Sequence, residues 1–453
     1  MVLEPEDADR ATSVDEAGRR RQTRLAAVAS VVGTSIEWYD FFLYGTAAAI
    51  VFPAVFFPKS SPYAGTLESF ATYAVGFAAR PVGAAIFGHW GDRIGRKATL
   101  IITLLMMGIA SALVGVLPGT KTIGVAAPIL LVVLRLLQGL AVGGEWSGSV
   151  LLSMEWGKQN RRGLMASWPQ IGVPIGLLLG TGAMTAIALA NEAAFKAWAW
   201  RIPFLASLLL VAIGLWVRLK VMETPMFARL VEKRTVSKVP TLEVLRRYPR
   251  QVLLSALLRM SEQAPFYIYT AFALTYIKDH LHQTEGLGLA AVTVGGALEL
   301  LLIPYFGQLS DRLGRKRVYA TGAILIGIVA FPLFLLMNTG AAGLIILGVA
   351  LVAIPHAMQY GPQSSYIAEQ FPTGLAYAGS GLGYQTASLI AGGPAPLLAT
   401  WMLASFGWQA ISVYIIACVV LTLIAVVFLP DRSKAELYET PLLTPAARGA
   451  AQS

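Results

Sequence analysis

The chain is poor in charged residues and has a single cysteine. Only 13% of its 453 residues are Asp, Glu, Lys or Arg, about half the share that a soluble protein carries. So few charges cannot cover a water-soluble surface, which excludes a large soluble globular protein. The lone cysteine, Cys418, excludes an intramolecular disulfide. The sequence also has no phosphate-binding loop, no cluster of metal ligands and no nucleophile elbow, so it predicts neither an enzyme nor a metal or cofactor site.

Long apolar runs fill the sequence instead. Hydrophobic residues make up 56% of the chain, and the mean hydropathy is +0.63. A helix of about 20 apolar residues crosses the hydrocarbon core of a bilayer. The predicted fold class is therefore an all-α membrane protein with twelve transmembrane helices. The predicted spans are 25–53, 66–90, 97–118, 125–155, 163–190, 199–218, 250–278, 287–308, 317–338, 341–368, 375–403 and 407–430.

The net charge of +10 follows the predicted topology. Basic residues cluster in alternate loops, at 19–24, 93–97, 158–162, 218–250 and 312–317, whereas the opposite loops hold single lysines such as Lys59 and Lys121. Such an asymmetry places the basic loops in the cytoplasm. We therefore expect a multi-pass protein of the plasma or inner membrane with both termini cytoplasmic, and no nucleic-acid partner.

One charged loop occurs twice, at residues 88–97 and 307–316, and its aspartates Asp92 and Asp311 lie 219 residues apart. Both loops must be cytoplasmic, so an even number of spans separates them, and this distance holds six. Two similar six-helix bundles around an axis along the membrane normal are typical of transporters. The predicted organisation is a cytoplasmic tail 1–24, a first bundle 25–218, a cytoplasmic linker 219–249, a second bundle 250–430 and a cytoplasmic tail 431–453.

The repeated loop also predicts a gate. An aspartate at a helix end, followed closely by arginines, can form interhelical ion pairs that break when the protein opens. A topology anchor alone would explain the basic residues but not the aspartate and the glycine spacing. The predicted gating residues are Asp92, Arg93, Arg96, Asp311, Arg312 and Arg315.

Ionisable residues within the spans are the candidates for chemistry, because a charge at the bilayer centre costs about 2.5–3.5 kcal/mol. The acids Glu37, Asp40, Glu145, Glu262 and Glu299 are predicted to carry protons. The arginines Arg80, Arg135 and Arg259 are predicted to bind an anionic ligand, since a guanidinium grips a carboxylate with two hydrogen bonds. Simple pairing between helices remains the alternative for each of them. At an offset of 219 residues, Asp40 falls on Arg259 and Arg80 falls on Glu299.

Phenols and amides interleave with these charges. The predicted substrate contacts are the arginines above together with Tyr39, Tyr44, Gln170, Tyr267, Gln359, Tyr384 and Gln385. Hydrogen bonding between helices is the alternative for any single one. His356 is a titratable group near mid-span, and both a packing role and a proton relay stay open.

The repeated pattern G-x-x-x-D-R-x-G-R-K resembles the major facilitator superfamily over the whole chain. Residues 37–41, 76–81, 135–146, 200–204 and 383–385 are similar to the metabolite:proton symporter family, and 125–149 and 317–332 to its shikimate-transporter branch. The resemblance implies Asp92 and Asp311 as gate residues, Arg135 as a coupling arginine and Glu37 with Asp40 as an acidic pair. The chain departs from relatives at Gly374 and Ala376, where basic residues are common.

The expected function is a proton-coupled symporter that imports a small organic acid, shikimate-like or another carboxylate, by alternating access. Its expected partners are the solute, protons and the lipid bilayer, with the proton gradient in place of a cofactor and a functional monomer. A proline- or betaine-type zwitterion symporter is the alternative, and a drug-efflux antiporter is a weaker one.

Overall fold

The computed structural model describes residues 15–232 and 237–435, which are almost entirely helical. Twelve long helical segments within these residues correspond to the twelve predicted spans, which confirms the fold class. Segments α1 to α6 are Glu16–Ile50, Pro62–Ile94, Arg96–Val116, Ala126–Trp156, Gln159–Ala190 and Arg201–Lys220. Segments α7 to α12 are 249–280, Glu285–Leu313, Arg315–Met337, Ala342–Ala368, Thr373–Phe406 and Trp408–Phe428.

Ten of these segments are long and apolar enough to cross a membrane by length and composition, and the other two are α1 and α7. Three segments are built from shorter pieces. Those of α5 are Gln159–Arg161, Arg162–Ser167, Pro169–Ile171 and Gly172–Ala190. Those of α7 are Pro249–Leu258, Met260–Tyr267, Ile268–Phe272, Ala273–Thr275 and Tyr276–His280, and those of α11 are Thr373–Leu375, Ala376–Ala387, Ser388–Gly392 and Ala395–Phe406. The π-helical turns Ile268–Phe272 and Ser388–Gly392 are of a kind that often marks functional sites.

Helix α1 begins at Glu16 rather than at residue 25, so the described part of the predicted N-terminal tail is helical. The Asp15 side chain caps this helix by accepting a hydrogen bond from the Gly18 N–H at 2.8 Å. Within the predicted linker lie the helices Pro225–Glu232 and Pro240–Arg247. Other short helices are Phe52–Phe56, Thr120–Ile123, Glu192–Ala194 and Phe195–Ala199. Residues 1–14, 233–236 and 436–453 lie outside the described residues.

The distribution of polarity is that of a membrane protein. Large apolar side chains such as Leu301, at 76%, and Leu189, at 82%, are exposed, while Glu37, Arg80 and Glu299 are buried. Exposed apolar side chains would be unfavourable in water but are favourable in lipid. The buried charged side chains make the interior of the bundle polar. The protein is therefore a multi-pass membrane protein.

The two halves, α1–α6 and α7–α12, repeat the same turn. Gly95, between α2 and α3, has φ of +107°, and Gly314, between α8 and α9, has φ of +96°, values that glycine adopts without strain. We call the end of the bundle that carries loops 88–97 and 307–316 the charged end. The seam between the halves is formed by α1, α2, α4 and α5 against α7, α8, α10 and α11.

Candidate functional site

Aromatic rings from both halves meet at the middle of the seam. The ring centroid of Trp38 lies 6.1 Å from that of Phe266, and Phe77 lies 5.8 Å from Tyr267. Phe41 joins the same cluster, 5.4 Å from Phe77 and 6.3 Å from Tyr267. This aromatic cluster closes the seam with rings rather than with ion pairs, so the halves can separate here without exposing a broken charge pair.

Arg80 points its guanidinium into this cluster. The guanidinium carbon lies 4.5 Å from the Phe77 ring centre and 5.0 Å from that of Phe41. The side chain is buried, and among the described residues it makes only these ring contacts, with no hydrogen bond or ion pair. Cation–π contacts of this kind offset only part of the cost of burying a charge. Arg80 is therefore a buried cation at the seam whose guanidinium no carboxylate of the described residues contacts directly.

Glu37 is a carboxylate in a comparable situation. It is buried, its Oε2 has no hydrogen-bond partner within the described structure, and its charged neighbours are Arg80, Glu145 and Arg218. Asp40 differs, because its carboxylate accepts hydrogen bonds from Gln138, at 2.9 Å, and from Ser111. The two acids predicted as a pair thus belong to adjacent but separate clusters.

Arg135 lies in the Asp40 cluster, inside the first half. Its guanidinium stacks over the rings of Tyr44 at 4.2 Å and Tyr73 at 4.8 Å. It donates to the Gln138 amide oxygen at 3.2 Å, and the Gln138 amide nitrogen donates in turn to Asp40. The coupling role implied for Arg135 remains a prediction, and this relay connects it to Asp40 through one amide.

Glu145 is paired with a residue that the sequence reasoning missed. Arg218 donates to the Glu145 carboxylate, which also accepts from Thr103 and Ser149 at 3.0 Å each. In sequence, Arg218 is the last residue of the predicted span 199–218 and the first of the basic cluster 218–250. It is buried at the end of α6, and its place after an unbroken apolar run was the available signal.

Arg259 of the second half is fully engaged, in contrast to Arg80. It pairs with Glu262 at 3.2 Å, donates to the Tyr384 carbonyl at 2.6 Å and to Ser388 at 3.0 Å, and lies over the Tyr384 ring at 3.3 Å. Gln363 contacts both Arg259 and Glu262. A substrate would have to displace these bonds to reach Arg259, so its predicted substrate contact would require rearrangement.

His356 connects the two buried glutamates of the second half. Its Nδ1 lies 2.5 Å from Glu299 Oε1, and its Nε2 lies 3.5 Å from Glu262 Oε1, an ion-pair distance without hydrogen-bond geometry. The Tyr269 hydroxyl also donates to Glu299 Oε1, at 2.5 Å. The predicted proton carriers Glu262 and Glu299 are therefore joined by a titratable group.

The predicted substrate contacts divide into two groups. The Tyr267 hydroxyl and the Gln385 amide oxygen have no hydrogen-bond partner in the described structure, and Gln385 reaches across the seam to the Val142 carbonyl at 3.4 Å. The other tyrosines and glutamines each make at least one contact, although the Gln359 amide nitrogen has no hydrogen-bond partner in the described structure. Tyr39 donates to Pro203, Tyr44 bonds Thr72, Gln170 bonds Trp146 and Tyr360, Gln359 accepts from Ser261, and the Tyr384 ring stacks on Trp146 at 3.6 Å.

At the charged end, each repeated aspartate caps a helix of the opposite half. Asp92 accepts from the N–H groups of Tyr377 at 3.3 Å and Ala378 at 3.0 Å, in α11. Asp311 accepts from the N–H groups of Gly163 at 2.8 Å and Leu164 at 3.0 Å, in α5. Helix N-termini attract negative charge, so both aspartates hold the charged end closed in this structure.

Arginines and further acids complete these two gates. Arg96 lies 3.6 Å from Asp92 and 3.3 Å from Glu155, and Arg315 lies 2.7 Å from Asp311 and 3.2 Å from Glu369. Glu155, Glu369 and Arg162 were not predicted as gate residues. Arg93 and Arg312, which were predicted, are exposed, and Arg93 contacts His89 at 3.2 Å.

The turns behind the gates repeat as well. Glu223 accepts from the Lys97 N–H and Asp431 from the Lys316 N–H, each at 3.1 Å, so each caps the helix that follows its loop. Burial raises the pKa of Glu223 above its ordinary value. Burial also acts to raise the pKa of Asp431, but hydrogen bonds from Ser433 and Lys316 outweigh it and lower that pKa.

Two parallel halves, a polar seam and a paired gate describe a transporter fold, and the sequence comparison agrees. The model of the Major Facilitator Superfamily matches residues 41–393 and 256–444. The chain belongs to the major facilitator superfamily. This superfamily member is 41% identical over 420 residues to the shikimate transporter of Escherichia coli (strain K12), covering 91% of this chain and 96% of that protein.

Two further likenesses place the chain among transporters rather than enzymes. It is 33% identical over 392 residues to the proline/betaine transporter of Escherichia coli (strain K12), covering 84% of this chain and 78% of that protein. Its fold matches the solved structure of the proton:xylose symporter XylE bound to 6-bromo-6-deoxy-D-glucose with a TM-score of 0.76. That match has 18% identity and covers 93% of this chain and 98% of that one.

Proposed function

We propose that this chain is a proton-coupled symporter that imports a small organic acid of the shikimate type. The observation that carries the proposal is Arg80, a buried cation at the seam whose guanidinium makes no hydrogen bond or ion pair among the described residues. A substrate carboxylate would supply two charge-assisted hydrogen bonds to it. The likeness to a shikimate transporter supports the choice of acid.

The surroundings of Arg80 fit a hydroxylated carboxylate. The Tyr267 hydroxyl beside Arg80 and the Gln385 amide oxygen, at the contact of α11 with α4, have no hydrogen-bond partner in the described structure, and either can bond a substrate hydroxyl. Phe77 and Tyr267 present ring surface to an apolar part of the ligand. The substrate would thus contact both halves, as alternating access around a central site requires.

Protons would enter this scheme at Glu37, whose carboxyl is buried near Arg80 without a hydrogen bond to its Oε2. The basic loops of the charged end support a cytoplasmic location for that end, and both termini would lie on the same side. The protein would then sit in the inner membrane, act as a monomer and require no cofactor beyond the proton gradient.

A zwitterion such as proline or betaine is the second candidate, because a proline/betaine transporter is a relative of this chain. A cationic head group would bind on aromatic faces. Arg80 already lies over the faces of Phe41 and Phe77, and it would repel such a ligand. The geometry therefore favours the anion.

The test is uptake of labelled shikimate, proline and betaine into proteoliposomes with an imposed pH gradient. We expect shikimate to accumulate and Arg80→Gln to reduce its uptake about 10- to 100-fold, the value of one charge-assisted hydrogen bond. Shikimate uptake by Arg80→Lys should lie between that of the parent and that of Arg80→Gln, since lysine keeps the charge but loses the planar guanidinium. Lys121→Gln, at an exposed lysine, is the control and should transport normally. Accumulation of betaine with exclusion of shikimate would contradict the proposal.

A further inference from the structure

The formal charges of the buried residues near mid-span sum to zero in the first half but not in the second. Among the described residues, the first half matches three acids with three arginines, which are Glu37, Asp40 and Glu145 with Arg80, Arg135 and Arg218. The second half has Arg259 against both Glu262 and Glu299. A net negative charge in a low-dielectric interior is costly, so one more positive charge would stabilise the interior of the second half.

His356 is positioned to supply that positive charge. It is buried between the two glutamates, with Nδ1 at 2.5 Å from Glu299 and Nε2 at 3.5 Å from Glu262. A separation of 2.5 Å between a nitrogen and a carboxylate oxygen requires a proton between them. Nε2 makes no hydrogen bond within the described structure, and its neighbouring charge is negative.

Two aromatic rings stack on the imidazole. Phe266 and Tyr360 lie with centroids at 5.1 Å and 5.2 Å and ring planes tilted by 25°. Stacked rings favour a cationic imidazole over a neutral one, and the side chain is buried from water. Proton exchange at this position is therefore controlled by movement of the neighbouring helices.

The histidine is also connected to the seam. Phe266, which stacks on His356, contacts Trp38 of the first half at 6.1 Å. The carbonyl of Tyr360 accepts from Gln170 of the first half at 3.4 Å. Separation of the halves would remove a ring contact of Phe266 and a backbone hydrogen bond of Tyr360.

We propose that His356, held between Glu299 and Glu262, binds a transported proton of its own, so that the protein carries one proton site in each half. This inference rests on the proposed proton symport. Nδ1–H stays donated to Glu299 while Nε2 takes up the proton, which changes the cluster from one net negative charge to neutral. Opening of the seam near Phe266 and Tyr360 releases the proton from Nε2. The charged and titratable groups that face the cluster are Arg259, Glu262, Tyr267 and Tyr269 on α7, Glu299 on α8, Tyr319 on α9, Tyr360 on α10 and Tyr384 on α11.

The first arm of the test observes the proton directly and needs no substrate. The chain has four histidines, so protein labelled with ¹⁵N at the imidazoles gives a simple nitrogen NMR spectrum in lipid. The difference from His356→Gln isolates the His356 signals. We expect an imidazolium near neutral pH that becomes neutral as the pH rises, and we expect Glu299→Gln to shift this conversion to lower pH. A His356 that is neutral throughout would overturn the proposal.

The second arm counts protons per solute in proteoliposomes with shikimate as the probe. We expect His356→Gln to lower the ratio of protons to shikimate by one, while an unchanged ratio would overturn the proposal. His282→Asn removes an exposed histidine at a helix end and should change neither readout. If His356→Gln does not fold, both measurements can be made on Glu299→Gln, which retains the histidine. If the parent protein moves no shikimate, the proposed function fails while the NMR arm still decides the proton site.

Discussion

Glu37 and Asp40 are three residues apart on α1, yet they have different surroundings. Asp40 accepts hydrogen bonds from Gln138 and Ser111, which stabilise its ionised form. Glu37 has an oxygen with no such donor in the described structure. A carboxyl that exchanges a proton during each cycle must be stable in both states, and Glu37 meets that condition better than Asp40.

The first prediction concerns Glu37→Gln, which fixes the side chain in a form that resembles the protonated acid. We expect accumulation of shikimate driven by a pH gradient to fall, because position 37 can no longer take up and release a proton. Exchange of external for internal shikimate needs no net proton movement and should persist. Both are measured in proteoliposomes with labelled shikimate.

Asp40→Asn is the matched comparison. An amide at position 40 has one acceptor oxygen in place of two, so it can accept from Gln138 or from Ser111 but not from both, and we expect a lower protein yield as well as weaker transport. Uphill accumulation at the parent level in Glu37→Gln would show that this carboxyl is not the coupling group.

At the scale of helices, the packing of α2 against α4 depends on glycine. A Cβ at Gly83 would lie 2.1 Å from the Leu140 carbonyl oxygen, and one at Gly143 would lie 2.3 Å from the Arg80 carbonyl oxygen. Real Cβ atoms do not approach backbone so closely. Small residues let membrane helices reach this separation, and here the contact also sets the depth of Arg80.

The second prediction uses two glycines as a pair. Gly83→Ala should push α2 from α4, lower the midpoint of thermal unfolding in detergent and reduce shikimate uptake. Gly182→Ala is the control, because a Cβ at Gly182 meets nothing within 4 Å. Alanine is the better helix former by roughly 0.5–1 kcal/mol, so the control should be neutral or slightly stabilising. Equal unfolding midpoints for the two variants would refute the packing argument.

The twelve spans and the repeated loops could be predicted because crossing a bilayer requires helices of a certain length and low polarity, and both properties can be read from local sequence. The partners of the buried charged residues could not be predicted. Arg218 and Arg162 read as loop cations and Glu155 and Glu369 as helix-end acids, but folding brings each beside a charge more than 50 residues away. Pairing over such separations depends on the tertiary arrangement, which neither spacing nor composition encodes.

For the molecule as a whole, the two gates at the charged end are related by symmetry but differ in charge. Ala376 precedes the N–H groups that Asp92 binds, as Arg162 precedes those that Asp311 binds. Arg162 pairs across the seam with Glu369 at 3.4 Å and bonds the carbonyls of residues 432, 433 and 435. The Ala376 side chain can form neither the ion pair nor the hydrogen bonds to carbonyls. At the same gate, Glu155 Oε2 has no hydrogen-bond partner in the described part of the chain.

The third prediction follows from that difference. Asp92→Asn removes the charge that caps α11, and among the described residues no ion pair then crosses the seam at that gate. Asp311→Asn leaves the Arg162–Glu369 pair across the seam. We therefore expect Asp92→Asn to raise the open fraction of the charged end about 10-fold or more, the value of one charge-assisted hydrogen bond, and Asp311→Asn to raise it less.

Thiol labelling can measure this opening because Cys418 is the only native cysteine. In a Cys418→Ala background, Ser147→Cys places a thiol on α4 at the buried contact with Gly381 of α11. A water-soluble maleimide added at the charged end should label this thiol slowly in the parent, faster with Asp311→Asn and fastest with Asp92→Asn. The background without Ser147→Cys should not react. Labelling that is fastest with Asp311→Asn would mean that the charge difference between the gates does not set the opening equilibrium.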